Sequence, residues 1–292
     1  VQQFVATALG GLTLGAVYAA FALALCLIWR STRIVNFAQA PMAMLTTYIA
    51  LTLVDSGQSY WLAFGAALLA GLLMGGIFER LIIRPVEGKP DLNSVILTLG
   101  LFIVLHSLAA LIFGSRYRSF PAAFGVSGLD VGGMSIPITG FGVFTIFAVA
   151  VTMVLLTLLF KKTDIGLRMR ASAFSPEVAR LLGVRVGRML TLGWALAALV
   201  GSLSGVLIAG GSLVHPGYMD SVVVFGFVAA VLGGLDSPTG SVVGGLILGL
   251  SLSFVSGYVA AELVPLTGLL ILLAVLLVKP GGLFAHATAR RV

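Results

Sequence analysis

The sequence predicts an all-α fold, a polytopic transmembrane helical bundle of about seven to nine spans, some of them broken or re-entrant. Three observations predict it. Only 9% of the 292 residues are charged, against roughly 25% in an ordinary soluble domain. Apolar residues make up 59%, more than an aqueous surface of this size can cover with polar groups. Glycine is abundant, at 37 residues, and small residues let helix backbones approach where the bilayer supplies no hydrophobic drive for association.

About 20 apolar residues cross roughly 30 Å of hydrocarbon. Taken in order, stretches of that kind lie at 4–29, 35–54, 60–83, 93–114, 140–160, 189–211, 220–236, 241–259 and 264–278. The second and the last three are short or interrupted by glycine. The first run stays in place on this reading, because no basic residue precedes Arg30 as a cleaved leader would require. Five glycine pairs at four-residue spacing, Gly11–Gly15, Gly71–Gly75, Gly201–Gly205, Gly240–Gly244 and Gly245–Gly249, read as close packing of one span on another.

The net charge of +7 is a topological signal, not a nucleic-acid footprint. With the N-terminus outside and the C-terminus cytoplasmic, 15 of the 17 basic residues fall inside, and only Arg116 and Arg118 fall outside. The count says nothing about the 220–259 pair, since removing two crossings together leaves every basic loop where it was. Attraction to anionic membrane lipids is the natural partner of such charge.

Several function classes are disfavoured. The acidic and basic side chains sit in loops or at span ends, and His106 is the one imidazole well inside a span, so no titratable relay for ion coupling crosses the bundle. No G-x-x-x-x-G-K-[ST] phosphate loop is present and no catalytic constellation, so the chain reads as a non-enzyme that binds no cofactor of its own. The single cysteine, Cys26, excludes a disulfide framework.

The most specific local signal lies between Lys161 and Arg188, which holds seven of the 17 basic residues. Within it, Ser175, Pro176, Glu177, Val178, Ala179, Arg180, Leu181, Leu182 and Gly183 spell a short helix with its punctuation. Ser175 is placed to cap it, Pro176 suits the first helical position, Glu177 complements the dipole and Gly183 supplies a left-handed stop. Val178, Leu181 and Leu182 share one side. So short a helix is marginal alone and must lean on something; the choice is between a lipid-surface linker and a docking helix for a cytoplasmic partner.

The chain resembles the LivH/LivM-type permeases of branched-chain amino acid ABC importers, closest to the H-type subunit. The resemblance runs in order through Gly11–Ala19, Val35-Asn36-Phe37-Ala38-Gln39, Glu79-Arg80 with Arg84-Pro85, Thr163–Ala171 followed by Ala179–Gly183, Phe227–Leu235 with Gly244-Gly245, and Lys279–Phe284. The chain departs from the family pattern at Ala40-Pro41, Asp236 and Ser241. The resemblance implies a single permease domain over 1–292 in a bacterial inner membrane. It implies a second, homologous LivM-type permease, two cytoplasmic ABC ATPases that use ATP and magnesium, and an extracytoplasmic solute-binding protein. It makes 175–183 the ATPase-coupling helix and branched-chain or hydrophobic amino acids the leading solute. The polar residues Asn36, Gln39, Thr46 and Thr47, on an otherwise apolar wall, are candidate substrate-path residues. An independent carrier or channel for a small solute such as urea or a short amide, or an anchor that translocates nothing, remains open on the residues alone.

Overall fold

The computed structural model describes residues 2–86, 89–125, 128–131 and 134–284. Arg290 and Arg291, counted in the charge tally above, lie outside them. Each expected apolar stretch is a helix: α1 (Gln2–Thr32), α2 (Gln39–Asp55), α3 (Tyr60–Phe78), α4 (Asp91–Phe113), α5 (Gly140–Lys162), α8 (Val186–Ala209), α9 (Asp220–Gly233), α10 (Pro238–Tyr258) and α11 (Val264–Val278). Two further helices, α6 (Asp164–Phe174) and α7 (Pro176–Leu181), fill the basic segment between α5 and α8. Among the described residues, seven helices are long and apolar enough to cross a membrane. The protein is a multi-pass membrane protein.

α1 and α8 form the centre, most of their length being buried within the protein, whereas α3, α4, α5 and α11 turn most of their surface outward. Without water there is no reason for that outer surface to be polar, and it is not: Leu69, Ile103, Phe147 and Leu270 are all exposed.

α10 runs antiparallel to α1 along its whole length. The Gln3 side chain donates to the Gly257 carbonyl (3.4 Å) at one end, and Ser253 Oγ donates to the Thr7 carbonyl (2.7 Å) nearby. At the other end Arg33 pairs with Asp236 at 2.5 Å, in the turn between α9 and α10. The bundle therefore has two ends. Gln3, Gly257 and the Asp55–Arg118 pair mark one; Arg33, Asp236, α6 and α7 mark the other. Of the 220–259 pair that the charge count left open, α10 is long enough to cross a membrane and α9 is not.

α2 and α9 are the short members. At about 1.5 Å per residue the 14 residues of α9 reach about 21 Å, less than a hydrocarbon core. Each is preceded by irregular backbone inside the protein: Asn36 and Ala38 before α2, and Pro216, Tyr218 and Met219 before α9 are buried. Non-helical backbone is tolerated at membrane depth only where protein satisfies it. Asn36 Oδ1 does so by accepting from Ala38 N (3.1 Å), and Gln39 N bonds the Asn36 carbonyl (3.3 Å). α2 thus begins at Gln39, four residues later than the apolar run suggests, and Pro41 falls in its first turn, where no intrahelical N–H partner is lost.

Two small antiparallel ribbons depart from the all-helical expectation. β2 (Gly128–Val131) pairs with β3 (Met134–Thr139), and β1 (Arg118–Ser119) pairs with β4 (Leu213–Val214), tying the segment after α4 to the one after α8.

Absolute orientation is open to a direct measurement. In a Cys26→Ser background, Gln58→Cys, between α2 and α3, should react with an impermeant thiol reagent on intact cells. Lys89→Cys, between α3 and α4, should react only after permeabilisation. Both positions are exposed, and Cys26 is the single cysteine of the sequence, so the Cys26→Ser background carries no other thiol. The reverse pattern would invert the topology.

Candidate functional site

Asn36, Gln39, Thr46 and Thr47 are all buried, and together they make one seam between α2 and α8. Asn36 Nδ2 donates to Gln39 Oε1 (3.0 Å), and Gln39 Nε2 donates to the Ala197 carbonyl of α8 (3.0 Å). Thr46 Oγ1 lies 2.8 Å from the Ala43 carbonyl and 2.9 Å from Ser202 Oγ, whose own proton goes to the Ala198 carbonyl. Thr47 Oγ1 bonds back to Ala43 as well (2.9 Å). Space for these side chains is made on α8 by glycine. A methyl group at Gly201 would collide with the Gln39 amide, and one at Gly205 would sit 2.8 Å from both Thr47 Oγ1 and the Ala43 carbonyl. Tyr218, just before α9, closes the seam by donating to the Gly205 carbonyl (3.2 Å). The Asn-Phe-Ala-Gln run and the Gly201–Gly205 pair are therefore two halves of one device.

The 175–183 segment stands at the Arg33 end. α7 covers Pro176–Leu181, with Pro176 at its first position, and Gly183 has φ +80°, the expected left-handed stop. The expected Ser175 cap is corrected: its side chain makes no capping bond. Ser175 ends α6 and begins α7 at once. Its N–H is spent on the Ala171 carbonyl (3.1 Å) and its carbonyl accepts from Ala179 N (3.0 Å), while φ −149° and ψ 93° hold the hydroxyl away from the first turn. The helix leans inward through one residue, Ala179, buried against Val186 and Leu190 of α8 with Ala171 and Val184 beside it. Val178, Leu181 and Leu182 remain exposed, Leu181 at 87%, with Phe174 at the end of α6 at 93%. Glu177 and Arg180 lie between them on the open side. A cluster of large apolar side chains beside seven basic residues is a surface made to be covered.

Sequence reasoning missed what joins this region to the spans. α3 continues past Phe78 as a π-helical turn, Glu79–Ile83, which presents Glu79 inward, 1% exposed. Arg84 grips that carboxylate through Nε (3.1 Å) and Nη2 (2.8 Å), and Nη2 also donates to the Gly187 carbonyl (2.7 Å) at the start of α8. Thr191 Oγ1 completes the clamp on Glu79 Oε2 (2.7 Å). An acidic residue at the end of an apolar span, five before an arginine, was the available signal. Sequence reasoning also missed an open cleft of about 640 Å³ at the opposite end, between α1, α5 and α8. Thr13, Thr145 and Ser212 contribute hydroxyls to walls that are otherwise largely apolar, such as Val17, Phe141 and Leu207. No contiguous sequence signal marks a cleft shared by three helices.

Residues 7–279 match the family described as branched-chain amino acid transport system / permease component. The chain belongs to that family. Among curated relatives, the permease is 28% identical to the high-affinity branched-chain amino acid transport system permease protein LivH of Escherichia coli, over 97% of this chain and 96% of that one. It is 26% identical to the corresponding protein BraD of Pseudomonas aeruginosa, over 100% and 99% of the two. A xylose/arabinose import permease protein, XylH of Sulfolobus acidocaldarius, is 31% identical over 64% of this chain and 48% of its own length.

Proposed function

We propose that this chain is the inner-membrane permease subunit of an ATP-driven importer and that its solutes are branched-chain and other aliphatic amino acids. What carries the reading is the near full-length family match borne by a multi-pass bundle. The importer further comprises a second, homologous permease, two cytoplasmic ATPases docked at the basic end, and a solute-binding protein at the cleft end. The exposed Val178, Leu181 and Leu182 beside the basic loop supply the ATPase contact, and Ser175 to Gly183 form the coupling segment.

Movement of α7 reaches the spans through Ala179, which rests on Val186 and Leu190 of α8. α8 in turn carries the seam with α2. The solute path follows α2 and the turn before it, where Asn36, Gln39, Thr46 and Thr47 are closed against α8 in the state described and become available when the two helices part. Gly201 and Gly205 put no α8 side chain in the way of that parting. The largely apolar 640 Å³ cleft with its few hydroxyls suits entry of an aliphatic amino acid better than that of a polyhydroxylated solute.

Uptake should therefore follow ATP. In vesicles carrying the assembled complex, leucine uptake should stop without ATP, and an uncoupler should leave the initial rate nearly unchanged while ATP is held constant. Leucine uptake by this chain alone, driven by a pH gradient, would overturn the proposal.

A further inference from the structure

At the Arg33 end, α1, α5, α6 and the start of α10 enclose a crevice of about 370 Å³. Three cations stand at its rim: Arg30 from the end of α1, Lys161 from the end of α5 and Arg170 from α6. Among the described residues none of the three forms an ion pair or donates a side-chain hydrogen bond, in contrast to Arg33, Arg84 and Arg118, each of which has a carboxylate. The rim does hold one acidic group, Asp236, but Arg33 occupies it at 2.5 Å. Below the rim the walls are apolar. Leu23 and Leu27 continue the Arg30 face down α1, and Leu156 and Phe160 continue the Lys161 face down α5.

Three like charges whose one neighbouring carboxylate is already taken repel one another. A phosphate ester, with its several acceptor oxygens, answers that charge. The apolar walls running into the span from the same rim require that the ester carry a hydrocarbon chain. We propose that this crevice is a binding site for an anionic phospholipid, its phosphate held by Arg30, Lys161 and Arg170 and one acyl chain laid along α1 and α5. A basic pocket between spans at a membrane surface is the known physical form of such recognition. The site is separate from the α2–α8 seam and from α7, and it does not depend on what the permease transports.

The test is native mass spectrometry of the purified full-length chain, with dioleoyl phosphatidylglycerol, dioleoyl phosphatidylcholine or inorganic phosphate added. Phosphatidylglycerol should be retained and phosphatidylcholine released. Arg30→Gln with Arg170→Gln should weaken retention roughly 25-fold, about fivefold for each cation removed. Arg30→Lys with Arg170→Lys keeps the charge and should retain most of the lipid. Thr157→Trp fills the crevice without removing a cation and should also lose the lipid. Lys162→Gln, one residue outside the crevice, should change nothing. Equal retention of the two lipids, retention unaffected by the double glutamine variant, an equal loss in Lys162→Gln, or displacement by millimolar inorganic phosphate would each overturn the proposal. If the glutamine variant fails to fold, the lysine and tryptophan variants decide it.

Discussion

Replacing Ala179 with proline should leave a permease that reaches the membrane yet no longer turns ATP hydrolysis into transport. Ala179 N makes the first backbone bond of α7, to the Ser175 carbonyl at 3.0 Å, and proline both removes that N–H and presses its ring on the same carbonyl. The local cost is about 3 kcal/mol, more than a helix of six residues can absorb. Ala179 is also the residue through which α7 rests on α8, so the change unseats the helix as well as breaking it. None of this touches the apolar faces that hold the spans together, and insertion should be normal. Gly183→Val should act in the same direction but less strongly. A methyl group at Gly183 meets open space, so the whole effect comes from φ +80°, about 1–2 kcal/mol for a β-carbon in that region. Gly183→Asn, which tolerates the left-handed conformation, should behave nearly as wild type. The readouts are membrane level, co-purified ATPase and leucine-stimulated hydrolysis beside uptake. Wild-type values of all of them for Ala179→Pro would reduce 175–183 to a linker.

The spans were legible because the bilayer asks one thing of them, and Phe4–Trp29 or Val264–Val278 answer it in composition alone. The boundaries of the broken helices were less so. Nothing apolar distinguishes Val35-Asn36-Phe37-Ala38 from the helix that follows; what ends the helical pattern is the Asn36 side chain turning back on Ala38 N. α6 was within reach, since Thr163 accepts from Gly166 N (3.1 Å) and Asp164 sits in the first turn, an ordinary start signal in a segment read for its charge. The β2–β3 ribbon was announced by the alternation of Met134–Thr139 behind a Gly-Gly pair, but it is short and lay in what looked like a loop. The grouping of Asn36, Gln39, Thr46 and Thr47 on one seam was legible in the sequence. Their partners were not, because Ala197 and Ser202 lie more than 150 positions away and offer only a carbonyl and a hydroxyl. The Glu79–Arg84–Thr191 clamp and the two clefts are likewise products of three-dimensional proximity, with no periodic signature along the chain.

Gly249→Ala should lower the stability of the bundle itself, where a change at the coupling segment spares it, through the α1–α10 crossing. A methyl group at Gly249 would run into the Gly15 backbone and stand 2.7 Å from the Gly11 carbonyl oxygen; one at Gly245 would stand 2.5 Å from Ala19 Cα. These neighbours are backbone atoms of the most buried helix in the bundle, and no side chain can rotate out of the way. α10 must move off α1, and the bonds at both ends of the pair, Ser253 to Thr7 and Arg33 to Asp236, move with it. Overpacking of a close-packed site costs about 1–3 kcal/mol, partly offset by the gain of about 1 kcal/mol for alanine over glycine in a helix. Gly245→Ala with Gly249→Ala removes that margin by adding a second clash on the same line of contact. Gly65→Ala provides the contrast. It lies in α3, equally apolar, but a methyl group there meets nothing within 4 Å, so only the helix-propensity gain remains. Thermal unfolding in detergent, read beside membrane yield, should rank Gly65→Ala at or slightly above wild type, Gly249→Ala below it, and the Gly245/Gly249 double variant unrecoverable as folded protein. A double variant that melts with the wild type would mean that α1 and α10 do not touch through these glycines, and the antiparallel pairing that carries the last crossings would fall with it.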